Sequence, residues 1–243
     1  MELFIFGLAQ PEKICGSREN PDEVCQWQNV TCNADEEVNK FVCTCQGLRG
    51  TLGFEFLPST MGTLGMPINA LTGTIKFADL RGNMEFISLH TNQLTGSLDL
   101  DCLPATMRGL SLDKNKFTGQ VSLEHLPEGL QSLSVSTNQL SGTICLHALP
   151  PTLERLLLSG NHFEGPLELT RLPEALAIIH LFDNMFSGQI DLSQLPERLN
   201  NLGAWNNRLS GTVRVPPGVS CWVEGCRNHS LFGGNRDLVV EGM

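Results

Sequence analysis

A fixed spacing of asparagines constrains this chain more than any other feature of its sequence. Seven asparagines are each 23 residues apart, with no insertion between them: Asn69, Asn92, Asn115, Asn138, Asn161, Asn184 and Asn207. A glycine follows each of them at the fourth position, and the same spacing extended outward reaches Gln46 and Ser230, which precede Gly50 and Gly234 in the same way. Self-similarity at a fixed period is typical of repeat proteins, so we predict a solenoid of stacked 23-residue units.

The apolar residues of each unit also keep their positions relative to the asparagine. One column consists of Ile87, Leu110, Leu133, Leu156, Ile179 and Leu202, and a second column lies two residues later, at Leu89, Leu112, Val135, Leu158, Leu181 and Ala204. Residues two apart point to the same face of a strand. Each unit therefore predicts one short strand, and the equal offsets stack these strands in parallel and in register.

Proline, asparagine and glycine columns predict the rest of the unit. Prolines recur after an apolar column on the far side of the unit, at Pro104, Pro127, Pro150, Pro173 and Pro196. Because proline fixes φ and cannot donate to a ladder, we expect loops or single 3₁₀ turns there. We interpret the asparagines as inward-turned side chains that satisfy backbone groups, and the glycines as bends rather than phosphate-binding loops.

The unit L-x-x-L-x-L-x-x-N-x-L-x-G-x-I resembles the leucine-rich repeat in its plant-type form. That resemblance implies an α/β-type solenoid: a right-handed superhelix with a parallel β-sheet on its concave face, loops or 3₁₀ turns on its convex face, and a cap at each end. The 23-residue version with Leu-Pro-x-x-Leu is similar to cell-surface leucine-rich-repeat proteins of protists such as kinetoplastids. The resemblance covers residues 41–236 and is specific for fold rather than for function.

Three regions follow from this pattern: a cysteine-rich amino-terminal cap at 1–40, the repeats at 41–215, and a carboxy-terminal cap at 216–243. The segment Cys25-Gln-Trp-Gln-Asn-Val-Thr-Cys32 resembles the amino-terminal cap of plant-type extracellular leucine-rich-repeat proteins, in which the two cysteines pair and the tryptophan packs over the first turn. Such a cap covers an apolar edge and an unpaired strand. Residues Met1–Ala9 are apolar, and they are interpreted either as a signal remnant or as an ordered arm on the first repeat.

The chain has nine cysteines, five of them within residues 15–45. This number indicates disulfides and an oxidising compartment, either extracellular, at the cell surface or in another lumen, with an organellar assembly as the alternative. An odd count leaves at least one thiol free or paired with another chain, and Cys102 and Cys145 are the candidates. The expected bridges are Cys25–Cys32, Cys221–Cys226, and Cys15–Cys43 with Cys45 as the competitor for Cys15.

Charge and motifs exclude several function classes. The formal net charge of −10 argues against nucleic-acid binding and against polybasic attachment to lipid. No run of 18 apolar residues is present, so we predict no transmembrane segment. Two sequons, at Asn29 and Asn228, are candidate glycosylation sites if the chain enters a secretory lumen.

The outward residues of the predicted strands form the concave surface, which solenoids use for binding. In the first half of the chain these residues are small and polar, whereas the second half carries apolar and aromatic side chains. Exposed apolar patches mark contact sites, and aromatic and arginine side chains are common anchors. The candidate partner-binding residues are Arg155, Leu157, Ile178, His180, Phe182, Asn201 and Trp205. The alternative is that the carboxy-terminal tail of the chain covers this patch.

We therefore predict a non-enzymatic interaction module that binds another protein, or a glycan, on its concave face. The alternative is a structural or accessory subunit of a larger membrane or organellar assembly. The row His90, Asp113 and Ser136 contains the residue types of a hydrolytic triad, but the acid lies between the other two, which is the wrong order. We expect no catalytic residue, no metal site and no cofactor, because the histidines do not cluster in the sequence and no CxxC pair is present.

Overall fold

The chain forms a parallel-strand solenoid of about eight turns. The computed structural model describes residues 1–80, 82–220 and 231–241. Its two α-helices, Glu2–Ile5 and Glu12–Cys15, both precede the first repeat. The predicted solenoid with a parallel sheet is confirmed, and in the described part of the repeats the convex side consists of turns and short 3₁₀ helices.

One sheet of nine strands runs along the solenoid, and we call it the concave sheet. Its first two strands are antiparallel to each other, and all later pairs are parallel. The parallel pairs join residues 23 apart, so that Ile87 faces Leu110 and Leu110 faces Leu133. The strands are Val30–Cys32, Val38–Val42, Thr63–Gly65, Phe86–Ser88, Gly109–Ser111, Ser132–Ser134, Arg155–Leu157, Ile178–His180 and Asn201–Gly203.

A second sheet is built from the segments around the repeated glycines. Its seven strands are Thr95–Gly96, Lys116–Gln120, Gln139–Thr143, His162–Gly165, Met185–Gly188, Arg208–Arg214 and Asp237–Glu241. Arg49–Gly50 and Ala70–Leu71 form a separate pair, and 3₁₀ helices occur at Val24–Gln26, Phe54–Phe56, Phe77–Asp79 and Leu100–Cys102. Gly142 illustrates the bend, because its φ is +87° and an added Cβ would lie 2.8 Å from the Gln120 side chain.

The repeated asparagines form a hydrogen-bonded ladder inside the solenoid. Asn138 Nδ2 donates to the carbonyl of Val135 on its own turn at 3.0 Å and to that of Leu112 on the preceding turn at 3.2 Å. Its Oδ1 accepts the N–H of Phe117, also on the preceding turn, at 3.1 Å. The same pattern occurs from Asn92 to Asn207. Each amide therefore ties two turns together through backbone groups that are buried away from water.

The last rung of the ladder is not where the fixed spacing places it. Asn235 takes this role: its Oδ1 accepts the Leu209 N–H at 3.0 Å, and its Nδ2 donates to the Ala204 carbonyl at 3.0 Å. Asn235 is 28 residues after Asn207, five more than the repeat spacing, so the amide of the last turn comes from a later residue than Ser230, which the fixed spacing reaches. The longer last turn still closes correctly because Asn235 supplies the same amide, and Asp237–Glu241 then extends the second sheet.

The amino-terminal segment is an ordered arm on the first turn. Phe4 is fully buried, with its ring centroid 6.2 Å from that of Phe41 and 6.1 Å from that of Phe54, both edge-on. Leu8 is also buried and bridges to Gly50 in antiparallel fashion. Residues of the Met1–Ala9 segment thus pack on the first turn.

The cysteines of the cap form one of the expected bridges. Cys25 and Cys32 are joined, with their Cα atoms 5.7 Å apart. The expected Cys15–Cys43 bridge is wrong, because both residues, and also Cys45, are free thiols. The Cys15 thiol bonds within its own segment, to the Pro11 carbonyl at 3.2 Å, and the Cys43 sulfur accepts from Asn29 Nδ2 at 3.8 Å. Cys221 and Cys226 lie outside the described residues.

Replacing one rung of the ladder should destabilise the solenoid. In Asn138→Ala, two buried carbonyls and the buried Phe117 N–H each lose a partner, and we expect the free energy of unfolding to fall by about 2–4 kcal/mol. Urea unfolding followed by circular dichroism measures this. The matched control is Gln139→Ala, an exposed neighbour, which should stay within about 0.5 kcal/mol of wild type. Equal midpoints for the two variants would contradict a structural role for the ladder.

Candidate functional site

Five of the seven predicted partner-binding residues lie on three adjacent strands of the concave sheet, and Phe182 and Trp205 follow two of these strands. Arg155 faces Ile178, and Ile178 faces Asn201, while Leu157 faces His180 on the neighbouring row. Arg155 is exposed, and the other four side chains are half-buried. Because neighbouring strands are about 4.8 Å apart, these side chains form one continuous surface, which we call the concave patch.

Aromatic rings form one border of the concave patch. The Phe182 ring stacks on the Trp205 indole, with centroids 3.8 Å apart and planes at 8°, and the His180 ring lies 5.5 Å from Phe182. Trp205 is only 2% exposed, so the expectation of an accessible tryptophan anchor is wrong. The reason is Gly203, where an added Cβ would lie 2.7 Å from the indole and 3.0 Å from the Phe182 ring. The missing side chain leaves room for Trp205 to lie flat.

The concave patch carries a single cation and an uncharged imidazole at neutral pH. His180 Nε2 lies 3.2 Å from Asn201 Oδ1. Burial lowers the pKa of His180 below its ordinary value, and the hydrogen bond to Asn201 opposes this only in part. The patch therefore offers apolar and aromatic surface with one guanidinium, from Arg155, at its edge. This chemistry suits an apolar partner with an acceptor or a carboxylate near that edge.

A groove that the sequence analysis missed leads into the concave patch. It encloses about 420 Å³ on the concave sheet, from the Val42 strand to the Arg155 strand. Phe86 lies within it and is 43% exposed. The neighbouring Gly109 leaves the ring uncovered, because even a Cβ there would approach Phe86 to 2.9 Å. The sequence analysis described the first half of the concave surface only as small and polar, and these small residues open the groove.

The His90, Asp113 and Ser136 row does not form a triad. Asp113 Oδ1 accepts from the hydroxyls of Ser111 at 2.8 Å and Ser134 at 3.1 Å, neither of which is part of this row. His90 Nδ1 lies 3.2 Å from the hydroxyl of Thr91, its neighbour in sequence. Ser136 accepts from Ser159 at 3.0 Å. These groups form a polar network, and no hydrogen bond found in the described chain joins His90 to Ser136.

The two candidate glycosylation sites lie near opposite ends of the sequence. Asn29 is exposed, in a left-handed backbone conformation with φ of +67°. Asn228 lies outside the described residues. None of the helices in the described parts of the chain has the length and apolar character that a membrane span requires.

No protein-family model and no curated protein matches the sequence. Among solved structures, the chain is similar to the leucine-rich-repeat ectodomain of the Arabidopsis thaliana receptor kinase GASSHO1/SCHENGEN3 in complex with CASPARIAN STRIP INTEGRITY FACTOR 2. The TM-score is 0.61 and the identity 26%, over 78% of this chain and 24% of that one. It is also similar to the Arabidopsis receptor kinase HAESA in complex with the peptide hormone IDA and the co-receptor SERK1, with a TM-score of 0.56 and 26% identity over 80% and 33% of the two chains.

A plant ice-binding protein matches 97% of this chain and 92% of its own, with a TM-score of 0.55, and its 19% identity shows a shared fold alone. The chain spans about a quarter to a third of the two receptor-kinase chains. These likenesses support a leucine-rich-repeat protein. The ectodomain neighbours and the Cys25–Cys32 disulfide are consistent with an extracellular location.

Burial of His180 predicts a pH dependence of stability. The folded chain holds the pKa of His180 below its ordinary value of 6.5, so the unfolded chain binds the proton more readily. The free energy of unfolding should therefore fall as the pH is lowered through about 6.5 and level off below the folded-state pKa. Urea unfolding at a series of pH values measures this loss.

The test variant is His180→Gln. The control is His162→Gln, because His162 is an exposed histidine of the second sheet. Only His180→Gln should flatten the decline of stability between neutral and mildly acidic pH. The same slope in wild type and in His180→Gln would show that this imidazole is not the group responsible.

Proposed function

We propose that this chain is a non-enzymatic protein-interaction module that binds an extended peptide segment of another protein along its concave sheet. The observation that carries the proposal is the concave patch, where Leu157, Ile178 and Phe182 remain partly accessible on adjacent turns. Apolar surface of this kind is common at contact sites.

Comparison with the receptor ectodomains supports this class of function. GASSHO1/SCHENGEN3 and HAESA were both solved with a peptide or protein partner. The present chain corresponds to a fraction of their length, so their own partners are not carried over. In this chain the surface that supports a peptide-binding function is the concave sheet, with a groove at one end and an aromatic border at the other.

The dimensions of this surface suit a short extended segment. Five strand spacings separate Phe86 from Asn201, which is about 24 Å. An extended peptide of about seven residues spans this distance. We propose that its apolar side chains contact Phe86 and the Leu157–Ile178 surface, and that an acidic group pairs with Arg155. A glycan remains the alternative partner, for which the aromatic border would be the contact.

Location and modification belong to the same proposal. We propose that the protein acts outside the cell or at its surface and that Asn29 carries a glycan, because Asn29 is exposed on the disulfide-bonded cap. The similarity to cell-surface leucine-rich-repeat proteins of protists is likewise a proposal.

A display library of random linear peptides tests the site. Peptides selected on the immobilised chain should lose affinity about tenfold or more in Leu157→Asp and in Arg155→Glu. The control Arg171→Glu makes the same charge change at an exposed arginine outside the concave sheet, and it should bind within about twofold of wild type. Selected peptides that bind Arg155→Glu and Leu157→Asp as tightly as wild type would reject the concave patch as the site.

A second candidate function is that of a structural subunit in a larger assembly. The observation behind it is apolar surface at the amino-terminal end, where Leu3, Phe6 and Phe56 are 57%, 64% and 44% exposed. Leu3 and Phe56 are close neighbours, because an added Cβ at Gly53 would lie 3.0 Å from the Leu3 carbonyl and 2.8 Å from the Phe56 ring. In this case these side chains would contact another subunit.

Gel filtration of an extract from the native source tests the assembly. An assembly subunit should elute far above the size of one chain, and Phe6→Ser expressed in the same cells should return it to the monomer position. A wild-type protein that elutes as a monomer from that extract would eliminate this candidate.

A further inference from the structure

Three metal-ligating side chains converge at a position that the sequence analysis did not single out. They are Glu124, Cys145 and His147, and their ligand atoms all lie within 4.8 Å of one another. The Cys145 sulfur is 3.1 Å from His147 Nδ1 and 3.4 Å from Nε2. We propose that these three side chains bind one divalent zinc ion on the side of the solenoid, away from the concave sheet.

Stacking of the turns brings the three side chains together. Cys145 and His147 flank Leu146, which is 1% exposed, so both point away from the core on the same side. Glu124 is 23 residues before His147 and occupies the equivalent position on the preceding turn, after the buried Leu123. Turns about 4.8 Å apart therefore place the carboxylate beside the thiol and the imidazole.

The donor set matches zinc chemistry. Zinc binds thiolate, imidazole and carboxylate ligands, usually four in a tetrahedron, and three protein ligands leave one position for water or a fourth ligand. From its bond lengths, a tetrahedral zinc holds such atoms about 3.4–3.6 Å apart. The 3.1 and 3.4 Å separations of sulfur and imidazole nitrogens are close to this. Glu124 and His147 are exposed, so their side chains have room to turn toward an ion.

The charges of the three ligand side chains favour a divalent cation at this point. A thiolate, a carboxylate and a neutral imidazole together balance the two charges of the ion. Binding would replace the thiol proton, which is released to solvent as the sulfur–metal bond forms. Affinity should therefore increase with pH.

The neighbouring turns provide a natural control. Cys102 is an exposed thiol whose partner is the Asp99 carboxylate at 3.2 Å, and His125 pairs with Asp101 at 3.3 Å. Glu124, Cys145 and His147 are the one group of three ligand residues found in the described parts of the chain. Cys102 is therefore a control for Cys145: it has an acidic neighbour but no histidine in contact, so it should not bind the ion.

Titration with Co²⁺ tests the proposal on the full chain with its free thiols reduced. A cobalt–thiolate bond gives an intense near-ultraviolet charge-transfer band, and added Zn²⁺ should abolish it by displacement. Cys145→Ser should remove the band, whereas His147→Asn and Glu124→Gln should weaken Co²⁺ binding by about tenfold or more, since loss of a direct ligand exceeds the effect of outer-shell changes. Cys102→Ser and His162→Asn should leave the affinity unchanged.

Two results would overturn the site. One is the absence of a cobalt–thiolate band in the wild-type chain. The other is a band that persists in Cys145→Ser or disappears in Cys102→Ser, which would place the thiolate elsewhere in the protein. Because Glu124 and His147 are exposed, their variants should keep the wild-type circular dichroism spectrum, so that lost binding reports a lost ligand.

Discussion

The structure depends on the asparagine ladder that joins successive turns. A solenoid has no central core, so each turn must satisfy its own buried backbone groups where the chain leaves the concave sheet. One amide does this for two turns at once, as Asn92 shows: it donates to the carbonyls of Leu89 and Met66 and accepts the N–H of Leu71. Apolar columns then fill the space between, each buried leucine or isoleucine contributing roughly 1.5–3 kcal/mol. The ladder fixes the register, and burial supplies the stability.

The fixed register determines which side chains are neighbours on the surface. Residues at equivalent places on adjacent turns become neighbours, whatever their type. This brings Arg155, Ile178 and Asn201 into one row on the concave sheet. The same stacking brings Glu124 beside Cys145 and His147 on the side of the solenoid. The concave patch and the Glu124, Cys145 and His147 group are thus both formed by stacking of equivalent positions. Their side chains point away from the interior, so substitutions there leave the packing of the interior in place.

Departures from the repeat occur where a local interaction, and not the 23-residue spacing, determines the position of a side chain. The last turn is longer, and Asn235 still provides its amide at the right place. In the cap, the Cys15 thiol bonds to the turn of its own short helix, so its proximity in sequence to the other cysteines does not lead to a bridge. On the concave sheet, Gly203 leaves the space in which Trp205 is buried against Phe182.

The repeat pattern was enough to predict the solenoid, the parallel register and the ladder, and the resemblance of the Cys25–Cys32 segment to a known cap predicted its bridge. Because the period of 23 residues repeats each local environment, the same residue types occur at equivalent positions in every turn. The bridge, in contrast, was predicted from one short motif. Packing between the turns set the features that the pattern did not predict: which outward side chains are accessible, the groove that small residues open at Phe86, and which ligand residues meet across turns. It also imposed left-handed backbone on residues such as Thr91 and Thr137, with φ of +57° and +54°. Such residues rarely adopt this conformation alone, and they do so here because the buried asparagine that follows each of them fixes the direction of the chain.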